Sequence, residues 1–454
     1  MKNIFSFTII GFLSIFLFAS CEKKLDIKPT QSIEETEALK TSSDVEAALV
    51  GAYSDLGNAD VYGGSLFVRS ELLGNSASEM NWSGTYQTMT QIFNKQIPVD
   101  NTDVRDTWGN SYKAINDVNN VLDAIDIVLD TRKDRVEGES KFIRGSLYFD
   151  LVRLYAKAWN DGDPAANDGV PLVLTPTRAP LSEENQPARA TVAQVYAQVI
   201  TDLTDAENLL PEDNGFFASK YAAAAMLSRV YLQQGDYANA AAAASRVIDG
   251  GLYSLTPTYV EAFPFNPLNT SEVIGNTSED VFAIQVTATQ GVNSFNTYFS
   301  PFGRGDIDIN PDYLAQFEAG DERLDAYYDD GSIRTAKFDM FYSNVHIIRL
   351  AEMYLTRAEA NFREGTAVGD TPENDINVIR ARVGLAPYDA ADLTLDLILT
   401  ERNHEMAFEG LTLGDKKRTE TSVGPLAWNS PKLIFPIPDR ERKVNPNLTQ
   451  NEGY

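Results

Sequence analysis

Hydrophobic positions along this chain recur mostly at three- and four-residue intervals, and the clearest run lies between Ser219 and Gly251. Ala224, Leu227 and Tyr231 share one face of a helix. Gly235-Asp236 interrupts it, and Ala240, Ala244, Val247 and Ile248 then mark a second helix. Alanines on facing sides let two helices approach closely, while Leu227 and Tyr231 fill the space between them. Such a hairpin cannot bury its apolar face alone and therefore predicts neighbours stacked on it.

The same period predicts helices along most of the chain. They cover 34–56, with Ser43-Asp44 as the cap, then 108–129, 139–159 and 192–210, the last stopped by Pro211. Further helices are expected at 345–362, 374–383 and 393–408. Large, small and aromatic positions follow one another in Ser219–Gly251 much as in a tetratricopeptide unit. Between 57 and 107 the period weakens, which predicts loops with short structured pieces. From 252 to 342 Pro, Asn, Gly, Thr and aromatics dominate, with one near-alternating run, V-F-A-I-Q-V, that predicts a strand. This stretch is expected to be a loop-rich insertion on a helical scaffold at 34–251 and 343–454. The proline-containing tail is expected to be irregular and held by packing.

Composition narrows the partners. The 454 residues carry 65 acidic against 38 basic side chains, a formal net charge of -27. A nucleic-acid ligand needs a basic footprint, and none is present. Residues 1–20 form a different object: Lys2 precedes an apolar run, Ile4 to Ala19, too short to span a bilayer. The only cysteine, Cys21, follows Phe18-Ala19-Ser20. This resembles a bacterial lipoprotein signal, in which the cysteine becomes the acylated first residue of the mature chain. Phe18 stands where leucine is more usual. Residues 21–33 would then be the lipidated cysteine and a polar tether. Each buried methylene contributes about 0.8 kcal/mol, so two or more chains anchor stably where one does not.

Four stretches together resemble the SusD/RagB family of outer-membrane nutrient-binding lipoproteins of Bacteroidetes. They are F-I-R-G-S-L-Y-F-D-L-V-R-L-Y with D-G-V-P-L-V; R-L-A-E-M-Y-L-T-R-A-E-A; I-N-V-I-R-A-R-V-G-L; and E-R-N-H-E-M-A-F-E-G with the closing F-P-I-P and N-P-N-L-T-Q-N-E-G-Y. Leu411-Thr412 depart from the family pattern, while Asp415 and Arg418 fit it. The resemblance implies a mostly α fold, an α-α superhelix of tetratricopeptide-like hairpins with a loop-rich insertion and short β elements, forming a single domain over 34–454. It also implies a lipid-anchored protein on the outer face of the outer membrane. There it would capture an oligosaccharide and pass it to a SusC-like TonB-dependent transporter, without catalysis. Capture of peptides or glycoproteins for the same kind of transporter is the alternative, and surface glycoside hydrolysis a remote one.

Sugar recognition needs flat aromatic rings for the apolar ring faces and amides, carboxylates or guanidinium groups for the hydroxyls. One ring gives weak binding, because about 100 Å² of buried apolar area contributes ~2–3 kcal/mol before ordering costs. The candidates are Trp82 and Tyr86 beside Asn81, and Phe295 and Tyr298 beside Asn296. Loop packing is the competing role for each. Tyr62 and Trp428 are weaker candidates, and Trp108 and Trp159 are expected to pack at the ends of helices. Arg144, Arg153, Arg349 and Arg357 are expected in scaffold ion pairs.

Catalytic constellations are absent from the sequence. His346 and His404 form no His-Glu-x-x-His pair, and neither a nucleophile elbow, a Walker loop nor a dinucleotide fingerprint occurs. His404 is expected to bond Glu401 one turn away. Asp161, Asp163, Asn167 and Asp168 make an oxygen-rich loop, but it lacks the spacing and terminal glutamate of a calcium hand. No cofactor is expected, and Asp161, Asp163 and Asp168 are only weak metal candidates.

Overall fold

The structure is a computed structural model describing residues 39–178, 182 and 186–454. The expected leader, tether and acyl site Cys21 lie outside the described residues. Thr41–Tyr454 form one compact unit.

The first helix, α1, is Ser42–Leu56, and its cap is Thr41 rather than Ser43-Asp44. Thr41 accepts from the Asp44 amide while the Asp44 carboxylate accepts from Thr41 N, at 2.9 Å, closing a capping box. The second, α2 (Ser65–Gly74), replaces an expected loop. All ten of its residues are buried, so it has no polar face and no amphipathic period to read. Strand β1 (Met80–Trp82) and α3 (Gln87–Phe93) follow. The long pair α4 (Thr102–Asp123) and α5 (Asp130–Tyr155) starts earlier than the apolar period suggested; Asn101 caps α4 through Val104 N at 3.1 Å. Helix α6 is Val192–Leu209.

The alanine-rich hairpin forms where the spacing placed it, as α7 (Lys220–Gln234) and α8 (Tyr237–Asp249). Ser219 caps α7, Gly235 closes it at φ +74, and Asp236 caps α8. In the intervening region lie β2 (Val273–Ile274), β3 (Asp280–Ile284), α9 (Ser294–Phe299), β4 (Ile307–Ile309), α10 (Pro311–Leu314), β5 (Tyr327–Asp329), β6 (Ile333–Thr335) and β7 (Tyr342–Ser343). The run Val345–Arg349, expected as helix, is strand β8 paired antiparallel with β3. Its β-branched Val345, Ile347 and Ile348 suit a buried ladder, and α11 starts only at Leu350, ending at Glu364. Helices α12 (Pro372–Arg382), α13 (Leu395–Glu405), α14 (Thr412–Arg418) and α15 (Asp439–Val444) complete the chain.

The helices stack in succession: α1 on α4, α4 on α5, α5 on α6, α6 on α7, α7 on α8, α8 on α11, and α11 on α12 and α13. Small residues carry the α8–α11 contact, where Ala240, Ala241 and Ala360 meet Leu232. Among the described residues the sheets are small, β1–β4, β2–β7, β3–β8 and β5–β6, each of two strands. The tail is held against α5: Phe435 N donates to Leu154 O, and Asn451 Nδ2 donates to Tyr155 O, both at 2.8 Å. This mostly helical fold is the architecture expected from the period.

Candidate functional site

Strand pairing assembles the site. β1 runs antiparallel to β4, with Trp82 opposite Ile307 and Asn81 opposite Asp308, and Ser83 N donates to Asp306 O at 2.8 Å. Gly84 then has to be glycine, because a Cβ there would lie 2.5 Å from the Trp82 ring and 2.6 Å from the Asp306 carboxyl carbon. Tyr86 precedes α3, and the Trp82 indole donates to Thr90 Oγ1 on that helix at 2.9 Å. Thr90 Oγ1 in turn donates to Tyr86 O at 3.0 Å. The two aromatic residues are thereby fixed to the same helical turn.

Tyr298 arrives from α9. Asn293 orients that helix, accepting from Asn296 N at 3.2 Å and donating to Ser343 O at 3.0 Å. The Tyr298 ring lies 5.8 Å from Trp82 and 6.4 Å from Tyr86, tilted to the first and edge-on to the second. Tyr86 is 46% exposed, and Trp82 and Tyr298 are half-buried. Three expected aromatics from segments distant in sequence therefore share one accessible patch.

The other members of the expected set separate from it. Phe295 and Asn296, expected beside Tyr298 as ligand contacts, are only 3% and 1% exposed and belong to the core. Phe295 stacks on Phe338 at 4.6 Å, and Asn296 Nδ2 donates to Phe338 O at 2.9 Å. One short helix thus turns Tyr298 outward and Phe295 inward. Asn81 is half-buried beside Trp82. Tyr62 is buried and donates to Asp150 at 2.6 Å. Trp108 is buried against Tyr155, and Trp159 packs on Tyr196 at 5.0 Å.

Arg304 had no role in the sequence reading, although it stands in the same aromatic stretch. Its guanidinium lies 4.1 Å from the Tyr86 ring centre, is fixed by Asp306 at 2.6 Å, and reaches Thr85 Oγ1 at 3.2 Å. The Asp306 hydrogen bond holds the Arg304 guanidinium above its ordinary value. Arg69 lies close to Tyr298 and is paired with Asp60 at 2.7 Å and Asp103 at 2.5 Å. Arg334 sits on Asp308 at 2.8 Å. Burial, opposed by Arg69, raises the Tyr298 hydroxyl above its ordinary value, so it is a neutral donor.

Elsewhere the scaffold arginines form the expected ion pairs: Arg144 with Asp202, Arg153 with Asp150, Arg349 with Glu279 and Glu409, and Arg357 with Asp375. His404 does not bond Glu401, which is taken by Arg323 at 2.6 Å and Arg380 at 3.2 Å. It stacks instead on Phe317 at 4.0 Å, and burial followed by Arg323 lowers it to about 4. His346 pairs with Asp280. Among the described residues no cluster of His, Cys, Asp and Glu is placed to hold a metal. In the oxygen-rich loop, Asp163 accepts from Ala165 N, Asp168 from Thr449, and Asp161 from Asn429.

The chain is similar to known proteins along most of its length. A family model described as "Starch-binding associating with outer membrane" (SusD-like) matches residues 23–232, and the SusD family model matches 339–424. The chain belongs to the SusD family. A SusD-like protein, P2, of Formosa agariphila is 24% identical over 98% of this chain and 99% of its own length. Another from that organism, P25, is 28% identical over 57% of this chain, and the match spans 49% of the relative, about half its length. The crystal structure of a SusD superfamily protein from Bacteroides vulgatus ATCC 8482 superposes with a TM-score of 0.81 at 24% identity, covering 91% of this chain and 99% of that one. The SusD-like helical scaffold is thus shared along nearly the whole described chain.

Proposed function

We propose that this SusD-family chain is a non-catalytic binder of oligosaccharide at the outer membrane, with Trp82, Tyr86 and Tyr298 as the sugar platform. The observation that carries the reading is the meeting of these three rings on one accessible patch. Each ring covering ~100 Å² of a sugar face adds roughly 2–3 kcal/mol before ordering costs, so three suffice where one does not. Asn81, Arg304 and the Tyr298 hydroxyl supply polar contacts for sugar hydroxyls. The cations around the rings, Arg304, Arg69 and Arg334, each sit on a carboxylate, which favours an uncharged polymer over a sulfated or uronic one. The starch-binding description of the matching family model supports the same ligand class.

In this reading acylated Cys21 tethers the protein to the exterior face of the outer membrane, and the bound oligosaccharide passes to a SusC-like TonB-dependent transporter. Calorimetric titration of the soluble part with neutral glycans tests the platform. Replacing Trp82 by alanine is expected to weaken binding about tenfold or more. Undiminished affinity would remove Trp82 from the site. Release of shortened products from the bound glycan would instead support the hydrolase reading, and binding of peptides but not glycans the adaptor reading.

A further inference from the structure

Lys417, on α14, is only 5% exposed. With Arg153, Trp159, Tyr196, Gln233 and Gly414 it lines a cavity of about 20 Å³. Among the described residues neither Lys417 Nζ nor Arg153 Nε, both buried, has a hydrogen-bond partner. A buried donor without an acceptor is costly, and a buried cation more so. Arg153 Nη2 donates to Asp150, and the guanidinium lies 4.7 Å from the Phe149 ring centre. Asp150 also accepts from Tyr62 at 2.6 Å, so its charge is shared. Lys157, another residue of the cavity wall, is only loosely paired, with Glu452 at 3.8 Å. Asp161 is the carboxylate that offsets Lys417 from farther away, and it also accepts from Asn429 at 3.4 Å. The residues lining the cavity include three cations, Arg153, Lys157 and Lys417, and no carboxylate, their counter-charges Asp150, Glu452 and Asp161 standing outside the lining.

We infer that this cavity is a specific site for one small monovalent anion of halide size, held between Lys417 Nζ and Arg153 Nε. Its volume of about 20 Å³ is enough for a water-sized or halide-sized particle. Two orphan donors call for an acceptor, and the excess of cations selects an anion over a neutral water. Burial, reinforced by Arg153, pushes the Lys417 ammonium down to about 7, and a bound anion opposes that shift. The ion would tie α14, which packs on α2 and α7, to the C-terminal turn of α5. The neighbouring Lys416 holds Glu79 at 2.8 Å, immediately before β1, so the tie also steadies the strand that bears Trp82.

Bromide is the probe. Crystals of the protein soaked in bromide should show an anomalous peak between Lys417 Nζ and Arg153 Nε. Exchanging gluconate for chloride at constant ionic strength should raise the melting temperature by an amount that saturates, and Lys417→Met should abolish that shift. Water alone in the cavity, or equal melting in the two salts, would overturn the assignment. A bromide peak without any melting shift would mean an adventitious ion only and would overturn it as well. Both decisive arms use the unaltered chain, so a Lys417→Met variant that fails to fold leaves the test intact.

Discussion

The helical scaffold and the intervening region, 252–342, combine apolar packing and buried charge differently. In the scaffold neighbouring helices meet through small apolar residues, as Ala240 and Ala241 meet Ala360 and Leu232 where α8 packs on α11, with separate buried pairs such as Arg144–Asp202 and Arg357–Asp375 between helices. The intervening region is clasped to α12, α13, the turn after α13 and β8 by a connected set of buried charges. Arg323 pairs with Glu401 at 2.6 Å, Lys337 with Glu409 at 2.6 Å, and Arg349 with Glu279 at 2.8 Å and Glu409 at 2.8 Å. Arg382 bridges Glu279 and Glu405, and Arg380 joins Glu318 to Glu401. Apolar packing is non-directional, whereas ion pairs fix orientation. The clasp sets where a segment poor in regular structure lies, and with it the position of α9 and Tyr298.

The largest expected effect comes from opening that clasp. Removing one partner of a buried pair leaves the other charge uncompensated, so Glu409→Gln should cost about 3–5 kcal/mol in denaturant unfolding. Hydrogen exchange should rise first around Lys337. Acid tests the same contact without mutation. Burial alone would raise the Glu409 carboxyl, but Arg349 and Lys337 overcome it and hold it down to about 2 against an ordinary 4.5. Its folded value is the lower one, so its contribution is whole above about 4.5 and lost as pH falls through about 2. Melting temperature should drop over that window, and less steeply in Glu409→Gln.

Overpacking tests the other region. Ala240→Leu should cost roughly 1–3 kcal/mol by forcing α8 and α11 apart, with little change at the aromatic patch. A loss of glycan binding larger than the loss of stability explains would show that the two regions are not mechanically separate. The smallest effect is expected at Arg304→Ala, which removes a partly exposed group from Tyr86. Glycan affinity should fall only a few-fold, about 0.5–1 kcal/mol.

The contrast also explains what could be read before the structure. Alanine-rich α7 and α8 announce themselves through their period, and their caps Ser219 and Asp236 stand next to them in sequence. Helix α2 does not, because burial on every side erases the pattern. The β-branched start of the 345–362 run looked helical until its pairing with β3 made it a strand. The clasp is invisible for another reason: its partners are distant in sequence, and charge complementarity without a register predicts no pair. At the site, Trp82, Tyr86 and Tyr298 were recognisable by residue type. Their separation from Phe295 depends on which face of α9 meets Phe338, a tertiary fact.

Calorimetric titration of a neutral oligosaccharide series into the protein and into a Trp82→Ala/Tyr86→Ala variant tests the central claim most directly. The account predicts binding by the unaltered protein that is lost in the variant, while the melting temperature stays close to that of the parent. Equal affinity in both would contradict it.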